Sequence, residues 1–301
     1  MTAIPNTRLI SALDEIAGQY DAVFCDLWGC LHNGVFAFPA AVKALQSARR
    51  RGVTVVLLTN SPRPQASVIA QLDKLEVPRD AWDLVVTSGD AAQFGLLSGA
   101  VGRKVYHIGA EKDLAFFDTF ADDLAALAAS QPAISRVPLA EAEGIVCTGL
   151  RDDMSETPAD YRAELLLGKT MGLKMLCANP DIMVDWGDKR IFCAGALAEA
   201  YEQDGAEALY FGKPHPPIYD LARRRLAAAD GRENLSVLCI GDGINTDILG
   251  AAGEGLDALF ITGGLHTEEF GTDPAQPEEA RLQSWLGQMG RAPRWSIPFL
   301  A

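Results

Sequence analysis

The chain lacks several features that would settle its class at once. Its six cysteines (Cys25, Cys30, Cys147, Cys177, Cys193 and Cys239) include no CxxC pair, so zinc and dithiol readings have no ligand spacing to rest on. No apolar stretch approaches the roughly 20 residues that a membrane-spanning helix needs. The first residues, MTAIPNTRLISALDEIAG, carry Asp14 and Glu15 and have no apolar signal core. Positive charge is also short: 26 Lys+Arg stand against 40 Asp+Glu, a formal charge of −14 over 301 residues. That balance argues against the basic face that nucleic acids and anionic membranes require, and neither is expected as a partner. A small anionic substrate is still permitted, because one local cluster of donors can hold a phosphate on an acidic protein. Scattered cysteines inside apolar runs fit buried, reduced thiols and a cytoplasmic protein.

What the chain does have is a 49% apolar fraction and a 22% charged fraction, ordinary for a globular protein with a real core. Its length suggests one large or two medium domains. Short runs rich in Val, Ile, Leu and Phe predict strands at 21–27, 53–60, 84–88, 104–109, 144–149, 174–179, 208–212, 237–242 and 258–264. They are nearly continuous rather than alternating, as in parallel sheets covered on both faces. Helical patterns such as AAVKALQSARRRG and PPIYDLARRRLAAADG lie between them, several closing on a basic residue and Gly. Strands alternating with helices predict an α/β fold. SGAVGRK (98–104) and DWGDKR (185–190) are candidate junctions for an inserted domain, and the terminal RAPRWSIPFLA suggests a tail laid on the surface.

Four strand ends turn abruptly polar: Asp26 after Val23-Phe24-Cys25, Thr59-Asn60-Ser61 after Leu57-Leu58, Lys213 after Phe211-Gly212, and Asp242 to Asp247 after Cys239-Ile240-Gly241. Ligands of open α/β sheets bind beyond the carboxyl ends of the strands. If these tips converge, they assemble three carboxylates, an ammonium and hydroxyl or amide groups, the inventory for Mg²⁺-assisted phosphoryl transfer. Asp26 and Asp242 could supply carboxylates to the ion. Asp26 could attack phosphorus, while Lys213, Thr59 and backbone N–H groups beyond it stabilise the phosphoryl charge. Taken singly, each residue has a plainer reading: Asp26 as a helix cap or turn residue, Thr59 as a cap, Lys213 as a solvated turn lysine.

As an ordered set, FCDLWG, LLTN, FGKP and IGDGINTD resemble the four signature motifs of the haloacid dehalogenase (HAD) superfamily. The insertion of about 100 residues between the second and third motifs is similar to the class IIA branch of p-nitrophenyl-phosphatase-like and nucleotide-phosphatase-like hydrolases. VVTSGDAA, YHIG, CANPD and GKPHPPIYDLA match that branch further. The resemblance implies a doubly wound parallel-sheet core over 1–98 and 191–301 and an α/β cap over 99–190. It also implies a phosphohydrolase or phosphotransferase that acts on a small phosphorylated metabolite through an aspartyl-phosphate, with Mg²⁺ as cofactor and a homodimer as the assembly. By the same resemblance Asp26 is nucleophile and metal ligand, Thr59 and Asn60 bind phosphate, and Lys213 is the catalytic lysine. Asp242 and the Trp28 backbone carbonyl complete the metal ligands, and Asp247 supports the metal site or Lys213.

One position departs from the pattern. Trp28 stands where the family carries a general-acid Asp, and an indole N–H is a donor that does not titrate usefully. General acid catalysis contributes about 10²–10⁴-fold, so its loss slows leaving-group expulsion. His32 is a candidate replacement because imidazole titrates near neutrality; a locally bonded loop histidine is the plainer reading. Asn179 and Asp181, on a cap loop, are candidates for facing the site. The alternative to an enzyme is a catalytically weakened protein of the same fold that binds or senses a phosphorylated ligand.

Overall fold

Runs of consecutive apolar residues form the strands. The computed structural model describes residues 6–186, 189–232 and 234–301. Among these, the strands in chain order are β1 (Arg8–Leu9), β2 (Ala22–Cys25), β3 (Thr54–Thr59), β4 (Leu84–Thr87), β5 (Lys104–Ile108), β6 (Ser135–Arg136), β7 (Gly144–Cys147), β8 (Lys174–Cys177), β9 (Met183–Trp186), β10 (Lys189–Phe192), β11 (Glu207–Tyr210), β12 (Val237–Gly241), β13 (Asp257–Ile261) and β14 (Trp295–Ile297). The helices are α1 (Pro39–Arg50), α2 (Gln65–Lys74), α3 (Ser88–Leu97), α4 (Asp122–Ser130), α5 (Arg162–Thr170), α6 (Ala194–Gln203), α7 (Pro216–Asp230), α8 (Leu249–Gly253) and α9 (Glu279–Met289). All nine predicted strands are present, and the fold is α/β as expected.

The chain divides into two compact units. The first comprises residues 1–59, 72–85 and 222–301. Its sheet has the order β1-β14-β13-β12-β2-β3-β4, with β1 through β3 of that order paired in parallel. β2 and β12 are buried along their whole length. α1 shows why such a sheet is covered: Ala41, Val42, Ala44, Leu45 and Ala48 recur at helical spacing and are all buried. The edge strand β4 lies where the chain passes from the first unit to the second.

The second unit comprises residues 60–71 and 86–221, a range that contains the whole of the expected cap, 99–190. Its parallel sheet has the order β11-β8-β7-β5-β6. Alternate residues face two separate cores. Ile145, Cys147, Met175 and Cys177 pack with Leu165 and Leu197, while Val146 and Leu176 pack with Ala92, Leu96 and Phe116. A sheet buried on both faces explains why these strands are continuous apolar runs.

One expectation is corrected. RAPRWSIPFLA is no surface tail: β14 is fully buried and lies inside the first sheet, between β1 and β13. The prolines on either side, Pro293 and Pro298, leave only four residues between them, too few for periodicity to register. β9 and β10 pair antiparallel on the two sides of the candidate junction DWGDKR; residues 187 and 188 within it lie outside the described residues, as do residues 1–5 of the N-terminal segment. Among the described residues no helix is long and apolar enough to cross a membrane.

Candidate active site

In the first unit, Asp26 directly follows β2 and Asp242 directly follows β12, and these strands are neighbours. The Asp26 N–H donates to the Ile240 carbonyl at 2.8 Å, continuing the sheet past the end of β2. Both carboxylates are only 9% exposed. Oxygen atoms of Asp26 and Asp242 and the Cys30 sulfur all lie within 4.8 Å of one another. Asp242 is fixed by backbone: the Leu265 N–H donates to its Oδ2 at 2.9 Å. Two glycines wall the same oxygen, and a β-carbon on Gly29 or Gly264 would come within 2.1 or 2.2 Å of it. Gly29 also has a φ of +76°, a conformation that glycine adopts without steric penalty. Burial pushes the Cys30 thiol well above its usual value, with the Asp242 and Asp26 carboxylates adding to it, so Cys30 is a neutral neighbour of the pair.

The loop after β12 forms a π-turn over Ile244–Ile248, a geometry frequent at functional sites. Asp247 stands in this turn, outside the Asp26–Cys30–Asp242 group. Its Oδ2 accepts from the Gly243 N–H at 3.1 Å and from the Thr246 hydroxyl at 3.3 Å. Side chains at 241 and 243 have no room: their β-carbons would come within 2.0 Å of Asp247 Cγ and 1.9 Å of Thr246 Oγ1. The Gly-Asp-Gly sequence is therefore a packing requirement of the carboxylate loop, not a dinucleotide fingerprint. Thr59 is the last residue of β3, on the other side of β2, and is buried.

Trp28 and His32 form a small structure of their own. Their rings meet edge to face at 5.4 Å, and the indole covers Gly34 so closely that a β-carbon there would come within 2.4 Å of Cη2. The Gly34 N–H donates to His32 Nδ1 at 3.1 Å. His32 is buried. The surrounding turn is closed by Gly29 N–H to His32 carbonyl at 2.9 Å and Phe38 N–H to Leu31 carbonyl at 2.8 Å.

The second unit brings together Asn60, Asn179, Asp181 and Lys213. The Lys213 N–H donates to Asn60 Oδ1 at 2.7 Å, and Asn60 Nδ2 donates to the Lys213 carbonyl at 3.0 Å. The same Nδ2 donates to Asp181 Oδ1 at 2.8 Å. Asn179 Oδ1 accepts from the Asp181 N–H at 3.0 Å, an Asx turn closing the loop after β8. Sequence reasoning missed Gly264-Leu265, which grip Asp242, and Ser88, whose buried hydroxyl lies beside Gly212. The signal for the first was a Gly-Gly pair directly beyond a strand.

Comparison with known proteins identifies the family. The family model described as haloacid dehalogenase-like hydrolase matches residues 23–120, and one described as HAD-hydrolase-like matches residues 210–282. A haloacid dehalogenase-like hydrolase from Brucella suis 1330 has a solved structure that is 42% identical, with a TM-score of 0.82, covering 97% of this chain and 100% of that one. The D-glycerol 3-phosphate phosphatase of Mycobacterium tuberculosis is 26% identical over 281 residues, 91% of this chain and 71% of the relative. The 5′-nucleotidase YutF of Bacillus subtilis is 24% identical over 280 residues, 89% of this chain and 98% of the relative. The chain belongs to the haloacid dehalogenase-like hydrolases, in their class IIA branch.

Proposed function

We propose that this hydrolase is a Mg²⁺-dependent phosphohydrolase acting on a small phosphorylated metabolite, with Asp26 as nucleophile. The observation that carries the reading is the pair of nearly buried carboxylates, Asp26 and Asp242, on adjacent strand ends. Two like charges this close disfavour each other's ionisation unless a cation offsets them. Oxygen donors beside a neutral thiol suit a hard ion better than zinc, and Mg–O distances of about 2.1 Å are compatible with oxygens no more than 4.8 Å apart. Asp26, Asp242 and the Trp28 carbonyl would hold the ion. When bound, it supplies the positive charge that lets an anionic carboxylate approach a phosphate dianion.

In this reading an Asp26 carboxylate oxygen bonds to phosphorus as the ester P–O bond breaks and the alcohol departs. Water then attacks the aspartyl-phosphate, releasing phosphate and restoring Asp26. Thr59 and the N–H groups beyond it donate to phosphoryl oxygens, and Lys213 offsets their charge. Two relatives named for a glycerol phosphate and for 5′-nucleotides support phosphate esters as the substrate class. A core of 1–98 and 191–301 under a cap of 99–190, a homodimer and a cytoplasmic location belong to the same proposal. The last accords with six buried free cysteines.

One observation favours a second reading, a binder of phosphorylated ligands with weakened turnover. Trp28, held by His32 and Gly34, puts no titratable group where the family has its acid. Thermal unfolding with and without Mg²⁺ tests what both readings share. Metal should raise the melting temperature of the wild type and not of Asp242→Ala, by the linkage of binding to folding. An equal rise in both proteins would move the metal elsewhere and remove the basis of the proposal.

A further inference from the structure

We propose that Asn60 and Asp181 are positioning residues for Lys213: Asp181 fixes the Asn60 amide, and Asn60 fixes the Lys213 peptide. The inference rests on the phosphohydrolase reading for the role of Lys213. It replaces the expectation that Asn60 binds phosphate.

Donors and acceptors fix the orientation of the Asn60 amide. A backbone N–H can only donate, so the Lys213 N–H at 2.7 Å requires the amide oxygen of Asn60 on its side. That orientation aims Nδ2 at the Lys213 carbonyl and at Asp181 Oδ1, both acceptors. An amide nitrogen has two N–H groups, and these two bonds use both, leaving none to donate to a phosphoryl oxygen. Asn60 is 4% exposed, and a buried amide keeps an orientation in which every partner is satisfied. Asp181 is itself anchored. Its N–H donates to Asn179 Oδ1 at 3.0 Å, and its carbonyl accepts from the Gly195 N–H at 3.2 Å.

The packing is as closed as the hydrogen bonding. Gly212, preceding the lysine, lies so near this group that a β-carbon would come within 2.5 Å of Asn60 Oδ1, 2.6 Å of Pro180 Cδ and 2.6 Å of Ser88 Oγ. The lysine peptide is thus gripped on both polar edges by one side chain and has no lateral slack at the residue before it. Lys213 is 2% exposed; displacing its backbone moves the ammonium from wherever the phosphate charge must be met. Effects of this kind appear in anion affinity before they appear in folding.

The test exchanges donor and acceptor across the Asn60–Asp181 contact in the full-length chain, using orthovanadate binding with Mg²⁺ and, separately, thermal unfolding. Asp181→Ala should weaken vanadate binding about tenfold, the scale of a lost hydrogen bond to a charged group. Asp181→Asn, which keeps an acceptor at the same place, should stay within about threefold of wild type, and it serves as the folding control. Asn60→Asp should bind worse than either, because it sets two carboxylates against each other and takes the donor from the Lys213 carbonyl. Combining Asn60→Asp with Asp181→Asn restores a donor–acceptor pair in the reverse sense, and should recover several-fold of the affinity lost by Asn60→Asp alone. A merely structural role would not predict that recovery at unchanged melting temperature. Wild-type affinity in Asp181→Ala, or a double variant no better than Asn60→Asp, overturns the inference. Wild-type protein that binds no vanadate and hydrolyses no phosphate ester overturns the phosphohydrolase reading itself, and this inference with it.

Discussion

An indole held in place against a buried imidazole shapes the chemistry at the residue scale. With no acid at position 28, an alkoxide leaving group must find its proton elsewhere, whereas a nitrophenolate needs little help. The ratio of aryl to alkyl phosphate turnover should exceed that of a relative with the acid by up to about 10²–10⁴-fold. Steady-state rates over a series of leaving groups measure it, and flat rates that become steep in His32→Ala would assign the proton to His32. His107 carries a pH prediction. Burial, with Arg136 and Arg151 adding to it, pushes its pKa from 6.5 down to about 4, and its Nε2 lies 2.9 Å from Thr148 Oγ1. Between those values the unfolded chain binds a proton that the folded chain does not. Stability should therefore fall as pH drops from about 6.5 to about 4 and level off below, by about 3 kcal/mol in all. Urea unfolding of wild type against His107→Gln should show a flatter profile for the variant across that window. Asp26 and Asp242 were legible as residues because a carboxylate ending an apolar strand is conspicuous. The part played by Asn60 was not, because the same amide can serve as ligand or clamp and only its partners tell which.

Elements explain why these residues are where they are, and the loops beyond β12 and β13 are shaped by missing side chains. Gly264→Ala would drive a methyl group to within 2.2 Å of Asp242 Oδ2, and the carboxylate must yield. Metal-dependent thermal stabilisation should weaken at least tenfold in Mg²⁺ concentration while the metal-free protein still melts cooperatively. Full retention would show that Asp242 is not held where a metal needs it. β14 makes the complementary case for packing. Ile297 is fully buried within the sheet, so Ile297→Ala should cost about 2–5 kcal/mol in denaturant unfolding, whereas a residue of a surface tail would cost almost nothing. The nine strands legible in the sequence are those whose apolar runs are long and bounded by Gly or charge. β1, β6 and β14 are two or three residues long. β9 and β10 mix charge with apolar residues, so neither period nor composition marked them.

For the whole molecule, the first of the points where the chain passes between the two compact units is the peptide bond between Thr59 and Asn60. The hydroxyl proposed to hold phosphate belongs to the unit of Asp26 and Asp242, and the next residue belongs to the unit of Lys213. Against a net charge of −14, the proposed cation and Lys213 are the terms that would admit a dianion to such a protein. The family and the α/β architecture were readable from the order of four short motifs, because each sits at the end of an apolar strand; β2, β3 and β12 set three of them, Asp26, Thr59 and Asp242, side by side in one sheet, while Lys213 follows β11 in the other. The division into units was less so, since contacts made in three dimensions leave no mark in composition. The central claim is that Asp26 attacks phosphorus with a divalent ion held between it and Asp242. Release of inorganic phosphate from a panel of phosphomonoesters, followed with and without Mg²⁺ in wild type and Asp26→Asn, tests it most directly. The account predicts Mg²⁺-dependent turnover of at least one ester, falling by about 10³-fold or more in Asp26→Asn as the nucleophile is lost. Wild-type rates in Asp26→Asn, or turnover indifferent to Mg²⁺, would contradict it.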